Sequence, residues 1–437
     1  MASLGGAKME SSVQRRVEAI SRHLLLRRPN PVLSPILLKG GQPINGEAEP
    51  VIIGGMVLDI HATPSMPANP RTTTPGKVRY VLGGVARNVA ECMSKLGTKP
   101  YMISAVGLDM AGNLLIQHWK SAGLSTEGIR KQQDVVTPVV CNILDVSGEL
   151  AAAVASVEAI EEFLTPEWIQ QFKGNICTAP ILMVDANLSP LALEASCQIA
   201  AESNIPVWFE PVSVSKSRRI ASVANLQLIW RFMQVSIASP NEDELVAMAN
   251  ALSCANVFPP IERGNKYSAE SLFQKLKPAI WLLLEKGIRM VVLTLGSDGV
   301  FLCSRGGPTV KRASLERIKA FDSSGRLYKV VTSSCPPHWH DATDLERDSH
   351  LFAVHFPALP ASVVRLTGAG DCLVGGTLAS ICAGLNIMQS VAVGIAAAKA
   401  AVEAEANVPG AFSLATIADG ARSVYSAAKV LFNQPML

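Results

Sequence analysis

The chain has 437 residues, 49% of them hydrophobic, a composition that excludes a globally disordered or fibrous protein. Its length fits either two domains or one large α/β domain, and we expect one catalytic domain behind a short leader. The net charge of +3 comes from scattered Lys and Arg residues, so no nucleic-acid partner is expected. No uninterrupted apolar run reaches the ~18 residues that a membrane span needs, so we expect a soluble protein that acts on a small molecule.

The first predicted segment is a targeting leader, residues 1–47. Residues 16–24, with the sequence RVEAISRHL, resemble at each defined position the N-terminal nonapeptide that directs proteins to peroxisomes. A mitochondrial presequence is the alternative for an Arg-rich leader, although Glu10 and Glu18 oppose it, and an ordinary surface helix is a third interpretation. We therefore predict a flexible leader and a peroxisomal location, with the cytoplasm or the mitochondrion as alternatives.

From Val51 onward, short apolar runs rich in β-formers alternate with helical patterns, which is typical of a parallel sheet flanked by helices. The predicted strands are residues 51–53, 100–105, 181–185, 206–210, 235–238 and 290–295. The sequence therefore predicts an α/β catalytic domain over residues 48–437, built on a central, mostly parallel sheet.

The helix expected after Gly84 shows the 3.6-residue period, and Gly97 supplies its C-terminal stop. Its apolar positions, which we expect to pack in the core, are Val89, Cys92, Met93 and Leu96. Near the end of the chain, two helices rich in Ala and Gly are predicted at about 369–383 and 387–406.

Two stretches break the alternation, residues 56–82 and 135–156, which are extended segments with turns. We assign both to a small separate β-sheet that acts as a lid. Residues 304–360 are rich in Gly, Ser, Pro and His and are longer than a connection inside a compact domain. They predict a surface insertion with its own hairpin.

The most informative motif is a Gly-Ala-Gly-Asp turn at the start of a predicted helix, formed by Gly368, Ala369, Gly370 and Asp371. First-turn amides have no partner inside a helix, and the helix dipole adds positive potential, so the turn predicts an anion site. The glycines let phosphate oxygens approach the backbone, which suits the charge of a transferring phosphoryl group. Asp371 then lies where it can accept the proton of an attacking hydroxyl, although an Asp that only caps its helix is the alternative.

Paired glycines, Gly83 and Gly84, precede the first predicted helix. They provide backbone freedom for a hinge and room for a ligand, and a plain tight turn is the alternative. Asn88, in the first turn of that helix, is expected to point toward sugar hydroxyls. Further along, residues 239–242 fit a capping box with Pro240 at the first helical position, so we expect Glu242 to be structural.

Five motifs between residues 51 and 408 resemble, in type and order, those of the ribokinase or PfkB family of kinases. They are Gly83-Gly84 with Asn88, residues 104–112, residues 241–244, residues 295–299 and residues 368–371. Each motif alone is weak, but five in order are specific. The resemblance implies a ribokinase-like sheet of nine strands or a similar number, a β-lid, and ATP-dependent phosphorylation, with Mg²⁺, of a primary hydroxyl on a sugar or nucleoside.

The resemblance also implies roles for individual residues. Asp59, soon after the first strand, matches the sugar-binding acid of the family. Asn241 and Glu244 match its Asn-x-x-Glu motif, which holds the metal through water. The substrate-binding residues implied in this way are Asp59, Gly83, Gly84, Arg87 and Asn88, and the ATP-binding residues are Gly296, Ser297, Gly299 and Thr367.

One position departs from the family. Arg365, two residues before Thr367, stands where Asp is common. The family resemblance implies a neighbouring site for a monovalent cation such as K⁺. Arg365 is expected to alter either that site or the fit of ATP.

Within the family, Arg87 before Asn88 and the turn at residues 210–213 resemble the pseudouridine kinase branch. This implies phosphorylation of the 5′-hydroxyl of pseudouridine, with Arg87 and the lid strand at 137–142 shaping the site for the base. The alternatives are a ribokinase-like or fructokinase-like sugar kinase and a catalytically inactive relative that serves as a scaffold. A homodimer formed through the lid is also expected.

Overall fold

The computed structural model describes residues 48–69, 71–133, 135–146, 150–225, 235–262, 267–306, 325–336 and 350–436. The predicted leader, residues 1–47, lies outside these ranges, so its targeting motif stays a prediction. The boundary between the leader and the catalytic domain likewise stays a prediction.

Strands and helices alternate over most of the described chain. The strands are β1 (Val51–Ile53), β2 (Val57–Pro64), β3 (Gly76–Gly83), β4 (Tyr101–Gly107), β5 (Ile129–Gln132), β6 (Val139–Leu144), β7 (Leu150–Ser156), β8 (Leu182–Asp185), β9 (Val207–Glu210), β10 (Ile237–Ala238), β11 (Met290–Thr294), β12 (Val300–Arg305), β13 (His350–Phe356) and β14 (Lys429–Pro435). The α-helices are α1 (Val85–Lys95), α2 (Met110–Ser121), α3 (Glu158–Phe163), α4 (Pro166–Gln170), α5 (Lys173–Thr178), α6 (Pro190–Glu202), α7 (Val214–Ser217), α8 (Ile220–Asn225), α9 (Glu242–Ser253), α10 (Ala269–Glu285), α11 (Gly325–Ser334), α12 (Ala369–Cys382), α13 (Ile387–Val402) and α14 (Leu414–Ala427). In these ranges no helix is both long enough and apolar enough to cross a membrane.

Ten strands form one sheet in the order β14-β13-β12-β11-β10-β9-β8-β1-β4-β5. The strands from β11 to β5 in this order are parallel, and β12, β13 and β14 add an antiparallel edge. The central strand β1 fixes the register, because Val51 pairs with Tyr101 on one side and with Leu182 on the other. The predicted α/β fold with a mostly parallel sheet is therefore confirmed.

The main sheet separates two hydrophobic cores, because successive side chains of a strand point to opposite faces. On β1, Ile52 belongs to one core while Val51 and Ile53 belong to the other, and all three are fully buried. Helices α1, α12 and α13 cover the first core, and α6, α9 and α10 cover the second. Each fully buried aliphatic side chain contributes about 1.5–3 kcal/mol, so burial on both faces explains why these strands are continuous apolar runs.

Helix α1 connects the first core to the functional edge of the sheet. The four predicted core positions, Val89, Cys92, Met93 and Leu96, are buried in the first core. Gly97 follows the helix with a φ of 94°, in the left-handed region that glycine adopts most readily. The prediction of this helix and of its buried face is confirmed, and the packing fixes the direction in which its first turn points.

A separate four-stranded sheet, in the order β3-β2-β6-β7, is built from the two stretches that break the alternation. On β2, Asp59 and His61 share one face while Ile60 and Ala62 share the other. The prediction of a small separate sheet is confirmed, whereas its action as a lid stays a prediction.

The structure corrects the predicted surface insertion at residues 304–360. Ser304 belongs to β12, and β13 pairs with β12 on one side and with β14 on the other, inside the main sheet. Helix α11 packs Leu327 and Val331 into the first core. Charged residues before β13 and two prolines after it, Pro357 and Pro360, conceal β13 in the sequence. The remaining parts of the predicted insertion, residues 307–324 and 337–349, lie outside the described residues.

Candidate active site

Most of the predicted site residues lie at one edge of the main sheet. The carboxyl ends of parallel strands meet at the same edge, so the loops after β1, β8, β9, β10 and β11 open there together. Helices α1 and α12 bring their first turns to this edge, where Asn88 of α1 contacts Asp371 of α12. Segments that are far apart in the sequence therefore form one site.

The side chain of Asp371 is hydrogen-bonded to Asn88, which lies 283 residues earlier in the chain. Asn88 Nδ2 donates a hydrogen bond to Asp371 Oδ2 at 2.7 Å, and Asn88 is itself buried. Burial raises the pKa of Asp371 to about 7, although the hydrogen bond from Asn88 opposes this shift. The charge of Asp185 raises this pKa, and the Arg87 guanidinium lowers it. Asp371 is therefore a carboxyl group that changes charge near neutral pH, which is the range in which general bases are efficient.

The Gly-Ala-Gly-Asp turn has the geometry of an anion site. Gly368 caps α12 with a φ of 87°, and a Cβ at this position would collide with the Asn407 carbonyl, so the turn requires glycine. Ala369 and Gly370 begin the helix. Gly370 is exposed, and no described heavy atom lies within 4 Å of where its Cβ would be. The first-turn amides are therefore open to an anionic ligand.

Arg87 is buried and bonded within the protein, being only 3% exposed. Its Nη1 donates to Asn88 Oδ1 at 2.6 Å and to the Leu82 carbonyl at 2.8 Å, while Nη2 pairs with Glu91. Burial lowers the pKa of Arg87 to about 10, and the charge of Asp371 opposes this shift. The guanidinium thus orients Asn88, so the predicted part of Arg87 in shaping the site for the base would act through Asn88.

Thr137, at the start of the lid strand predicted to shape the site for the base, also forms its hydrogen bonds within the protein. Its backbone N–H donates to Asp109 Oδ2 and its hydroxyl donates to Asp109 Oδ1, both at 2.7 Å. Asp109 also caps α2 by accepting from the Gly112 N–H at 2.7 Å. Because Thr137 is fully buried by these contacts, it anchors the lid strand to α2 and does not face a ligand.

Asp59 lies on the lid face that Asn407 contacts. Asn407 Nδ2 donates to Asp59 Oδ2 at 3.2 Å, and burial raises the pKa of Asp59 to about 6. A Cβ at Gly83 would collide with the Asp59 carboxylate. Gly84 has a φ of 95°, and a Cβ there would collide with the Gly55 carbonyl. The paired glycines therefore allow the lid strand, Asp59 and the start of α1 to approach closely.

Asp185 connects three segments at this edge. Its Oδ2 accepts from the N–H groups of Gly55 at 3.0 Å and Ala86 at 3.2 Å, and its Oδ1 accepts from the Asn187 N–H at 3.0 Å. The side chain is fully buried. Asp185 thereby fixes the end of β8, the turn after β1 and the first turn of α1 relative to one another.

The two predicted metal-binding residues form a helix cap. Asn241 Oδ1 accepts from the Glu244 N–H, and Glu244 Oε2 accepts from the Asn241 N–H, both at 2.9 Å. The capping box therefore spans Asn241 and Glu244, two residues later than predicted, and Pro240 precedes the cap. The correction arises because Asn241 supplies the capping side chain where Ser239 was expected to.

Several carboxyl groups lie near Glu244, and burial raises the pKa of Glu244 itself. Burial raises the pKa of Glu210 well above its usual range, and the charges of Glu244 and Asp371 raise it further. Within the described ranges, no group of three or more His, Cys, Asp or Glu side chains is arranged to hold a metal ion. A Mg²⁺ ion here would therefore take most of its ligands from phosphate oxygens and water, and the assignment of Asn241 and Glu244 as metal-binding residues stays a prediction.

The predicted ATP-binding turn lies next to Asn241. It follows β11, whose residue Thr294 forms a bridge to Asn241. Gly299 has a φ of 97° and packs against the backbone after β13, whereas Gly296 and Ser297 are exposed. Thr367, immediately before the Gly-Ala-Gly-Asp turn, is exposed as well. Gly299 thus shapes the turn, and the exposed residues are the ones available to a nucleotide.

Asp185, Glu210 and Asn407 are site residues that the sequence analysis missed. Asp185 and Glu210 end predicted strands, and an acidic residue at the carboxyl end of a parallel strand is a usable signal for a site. Asn407 follows a helix near the end of the chain. Only the fold brings it to Asp59, so no local pattern reveals it.

Three comparisons with known proteins bear on these residues. The family model of pfkB family carbohydrate kinases matches residues 48–325. A pseudouridine kinase of Arabidopsis thaliana is 53% identical over 391 residues, which cover 89% of this chain and 100% of that protein. A pseudouridine kinase of Escherichia coli (strain K12) is 28% identical over 59% of this chain and 73% of that protein. The structure of an Arabidopsis thaliana ribokinase complexed with ribose and ATP has the same fold, with a TM-score of 0.61 and 17% identity over 86% of this chain and 99% of that one.

Proposed function

The chain belongs to the pfkB family of carbohydrate kinases, and on that basis we propose that it transfers the γ-phosphoryl group of ATP to the 5′-hydroxyl of pseudouridine, giving pseudouridine 5′-phosphate. The observation that carries the proposal is the 53% identity to a pseudouridine kinase along the whole of that protein. A sugar kinase of the ribokinase or fructokinase type is the second candidate. An inactive scaffold has less support, because Asp371 and the glycines of the anion site are present in a competent geometry.

In this proposal Asp371 is the general base. The 5′-oxygen attacks the γ-phosphorus, and the hydroxyl proton passes to Asp371. The bond between the γ-phosphorus and the oxygen that bridges it to the β-phosphorus breaks, so ADP leaves. Asn88 holds Oδ2, so we assign Oδ1 to the hydroxyl. A pKa of about 7 matches this task, since the carboxyl can both release and accept a proton near neutral pH.

The turn from Gly368 to Asp371 would stabilise the charge on the transferring group. Its amides and the dipole of α12 point at the position where that charge develops, and one such donor typically contributes about 10²- to 10³-fold in rate. Mg²⁺, when bound, would neutralise phosphate charge, and Asn241 and Glu244 would reach it through water. Gly296, Ser297 and Thr367 are the exposed residues that we assign to ATP.

Asp59 is the residue that we assign to the ribose hydroxyls. Its carboxylate accepts hydrogen bonds, and Gly83 leaves room beside it. Dependence on a monovalent cation such as K⁺ stays a prediction. The Arg365 guanidinium acts on Asp59 electrostatically and would repel a cation near that carboxylate.

The test is a panel of acceptors with ATP and Mg²⁺, scored by ADP release. Pseudouridine should give a higher kcat/KM than uridine, adenosine, ribose and fructose, by about 10²-fold or more if a buried group pairs with the N–H that distinguishes its ring from that of uridine. Asp371→Asn, purified in the same way, controls for contaminating kinases. Equal rates with uridine and pseudouridine, or a preference for ribose or fructose, would reject the proposed substrate.

We also propose a homodimer through the lid. One face of the small sheet, here named the apolar lid face, consists of Ile60, Ala62, Val78, Tyr80, Cys141, Ile143, Ala152 and Val154. Val78, Tyr80 and Val154 are each more than half exposed. A contiguous exposed apolar surface of this kind marks an interaction site, and a second copy of the same sheet is its natural complement.

The location that we propose is the peroxisome, with the cytoplasm or the mitochondrion as alternatives. The support is the nonapeptide at residues 16–24, which resembles an N-terminal peroxisomal signal at each defined position.

A further inference from the structure

Four buried polar atoms near Asp59 have no hydrogen-bond partner among the described residues. They are His61 Nε2, Arg87 Nε, Arg365 Nη1 and Asn407 Oδ1. Leaving a buried polar atom unpaired costs free energy, so such atoms are rare in folded proteins and each requires an explanation. Arg87 already bonds Asn88, Glu91 and the Leu82 carbonyl and positions Asn88. The grouping of the other three atoms around the residue assigned to the sugar indicates atoms that pair with the substrate.

The amide of Asn407 has a fixed orientation. Its Nδ2 donates to Asp59 Oδ2 and to the Leu82 carbonyl, both at 3.2 Å. Both partners are acceptors, so exchanging the amide nitrogen and oxygen would set acceptors against one another. Asn407 Oδ1 is therefore an acceptor that lacks a donor in the described part of the chain, on a side chain only 1% exposed.

His61 and Arg365 are the other two side chains near Asp59 that carry an unpaired buried atom. His61 is two residues from Asp59 on the same face of β2, a separation of about 6–7 Å. Arg365 donates its backbone N–H to the Val402 carbonyl at 3.1 Å, and its charge acts on both Asp59 and His61. Burial and the charge of Arg365 lower the pKa of His61, which keeps its ring neutral at neutral pH. Arg365 therefore interacts electrostatically with Asp59, the carboxylate assigned to the sugar, and with His61 on the same face of β2.

The charges around Arg365 balance. Asp59 and Glu405 attract it while Arg79 repels it, and Arg79 is paired with Glu405 at 2.9 Å. The guanidinium groups of Arg365 and Arg79 are offset by two carboxylates, those of Asp59 and Glu405. No excess positive charge therefore remains to bind a phosphate or a carboxylate. A neutral acceptor such as a carbonyl oxygen is therefore the fitting partner for Arg365 Nη1.

On the basis of the proposed pseudouridine kinase activity, we propose that His61, Arg365 and Asn407 complete the nucleoside subsite. Asn407 Oδ1 accepts a hydrogen bond from a ribose hydroxyl beside Asp59. Arg365 Nη1, with His61, binds a carbonyl oxygen of the pyrimidine ring. Asn407 thus recognises the ribose, and Arg365 with His61 recognises the base.

The test compares pseudouridine with ribose, which has no base, as a substrate or, where turnover is too slow, as a competitive inhibitor. Arg365→Met keeps the aliphatic stem and removes the donors. It should raise KM for pseudouridine by about tenfold to hundredfold and leave KM for ATP within about twofold, whereas ribose, affected only through the charge that Arg365 exerts on Asp59, should be weakened by at least about threefold less than pseudouridine. Asn407→Leu should instead weaken ribose and pseudouridine by equal factors. Arg79→Met, a lid arginine paired with the exposed Glu405, is the matched control and should change neither.

If the Met variant does not fold, Arg365→Lys decides the question. It keeps positive charge beside Asp59 and should still raise KM for pseudouridine about threefold to tenfold with ribose unaffected. An Arg365 variant that binds pseudouridine like the wild type, or that weakens both ligands equally, would overturn the subsite. A wild-type enzyme inactive on pseudouridine would instead reject the proposed function and this inference with it.

Discussion

At the scale of single residues, the properties of Asp371 come from its surroundings. Burial raises its pKa to about 7, and Asn88 and Arg87 limit the increase. Glu91 pairs with Arg87, Arg87 donates to Asn88, and Asn88 donates to Asp371. The buried ion pair of Glu91 and Arg87 therefore determines where the Asp371 carboxylate points. Arg87 holds Asn88, which in turn holds Asp371, so we expect Arg87 to act as a positioning residue.

The first prediction concerns Asp371→Asn, which keeps the shape of the side chain and removes the base. Turnover should fall by roughly 10²- to 10⁴-fold while nucleotide binding changes little, because ATP meets the amides of the turn and not this carboxylate. For the wild type, kcat/KM should fall as pH drops below about 7, since a base acts only when deprotonated. Steady-state kinetics from pH 5.5 to 8.5, about three units around that pKa, would measure both effects.

Thermal unfolding supplies the control for this variant. The folded pKa of Asp371 is raised from 3.8 to about 7, so burying the charged form costs stability that grows with pH between these values and is constant above them. Asp371→Asn should therefore be at least as stable as the wild type at pH 8, roughly one unit above that pKa. Normal turnover in a folded Asp371→Asn protein would contradict the assigned role.

Sequence reasoning identifies residues whose signal is local. Asp371 is recognisable because the Gly-Ala-Gly-Asp turn and the helix after it are contiguous in the chain. Asn407 and Asp185 act through contacts with segments about 100 or more residues away, such as Asp59 and Ala86, and one sequence carries no pattern for those pairs. The sequence assigns Arg87 to the site but does not identify its partners, Asn88 and Glu91. Only the burial of Arg87 distinguishes an internal ion pair from a contact with a ligand.

At the scale of secondary-structure elements, the start of α12 separates a structural glycine from a functional one. Gly368 is required by its φ of 87° and by the Asn407 carbonyl that it contacts. Gly370 has ordinary helical geometry and open space around it. The two glycines look equivalent in the sequence, but only Gly368 has a backbone conformation and surroundings that exclude a side chain.

The second prediction is Gly370→Val. The side chain would enter open space, so the protein should fold with a melting temperature within a few degrees of the wild type, but the isopropyl group would occupy the position assigned to the phosphoryl oxygens. Activity should fall by about 10²-fold or more. Gly174→Val is the matched control, since Gly174 also lies in the first turn of a helix with nothing near it, and it should remain fully active. Retained activity in Gly370→Val would count against the anion site.

The third prediction concerns the small sheet and its apolar lid face. Val154 is 71% exposed at the centre of β7, so Val154→Lys would put a charge into the proposed interface without disturbing the fold. Wild-type protein should run as a dimer by light scattering, and the variant as a monomer. Leu191→Lys, at a 67% exposed position of α6, changes the charge equally and should leave the dimer intact. A monomeric wild type would reject the dimer.

At the scale of the whole molecule, local patterns predict the parallel part of the sheet and fail at its antiparallel edge. Each βα unit shows a short apolar run followed by a helical pattern of hydrophobic residues. Most strands of the parallel sheet, from β1 to β11, can therefore be predicted from the sequence. β13 is concealed between polar stretches, and β14 lies far from its partner along the chain. The predicted surface insertion was wrong at β13 because a strand paired on both sides is defined by its partners, not by its flanks.

The last prediction concerns the predicted leader, residues 1–47, whose proposed targeting role is independent of the proposed active site. Residues 1–40 fused to a fluorescent protein should carry it to peroxisomes, because residues 16–24 resemble the N-terminal nonapeptide signal. Arg16→Ala with His23→Ala should leave the fusion in the cytosol. Arg27→Ala with Arg28→Ala, outside the nonapeptide, removes comparable basic charge and should not change the location. If basic charge alone directed the fusion, both double variants would stay in the cytosol. Mitochondrial import of the intact fusion would reject the peroxisomal signal.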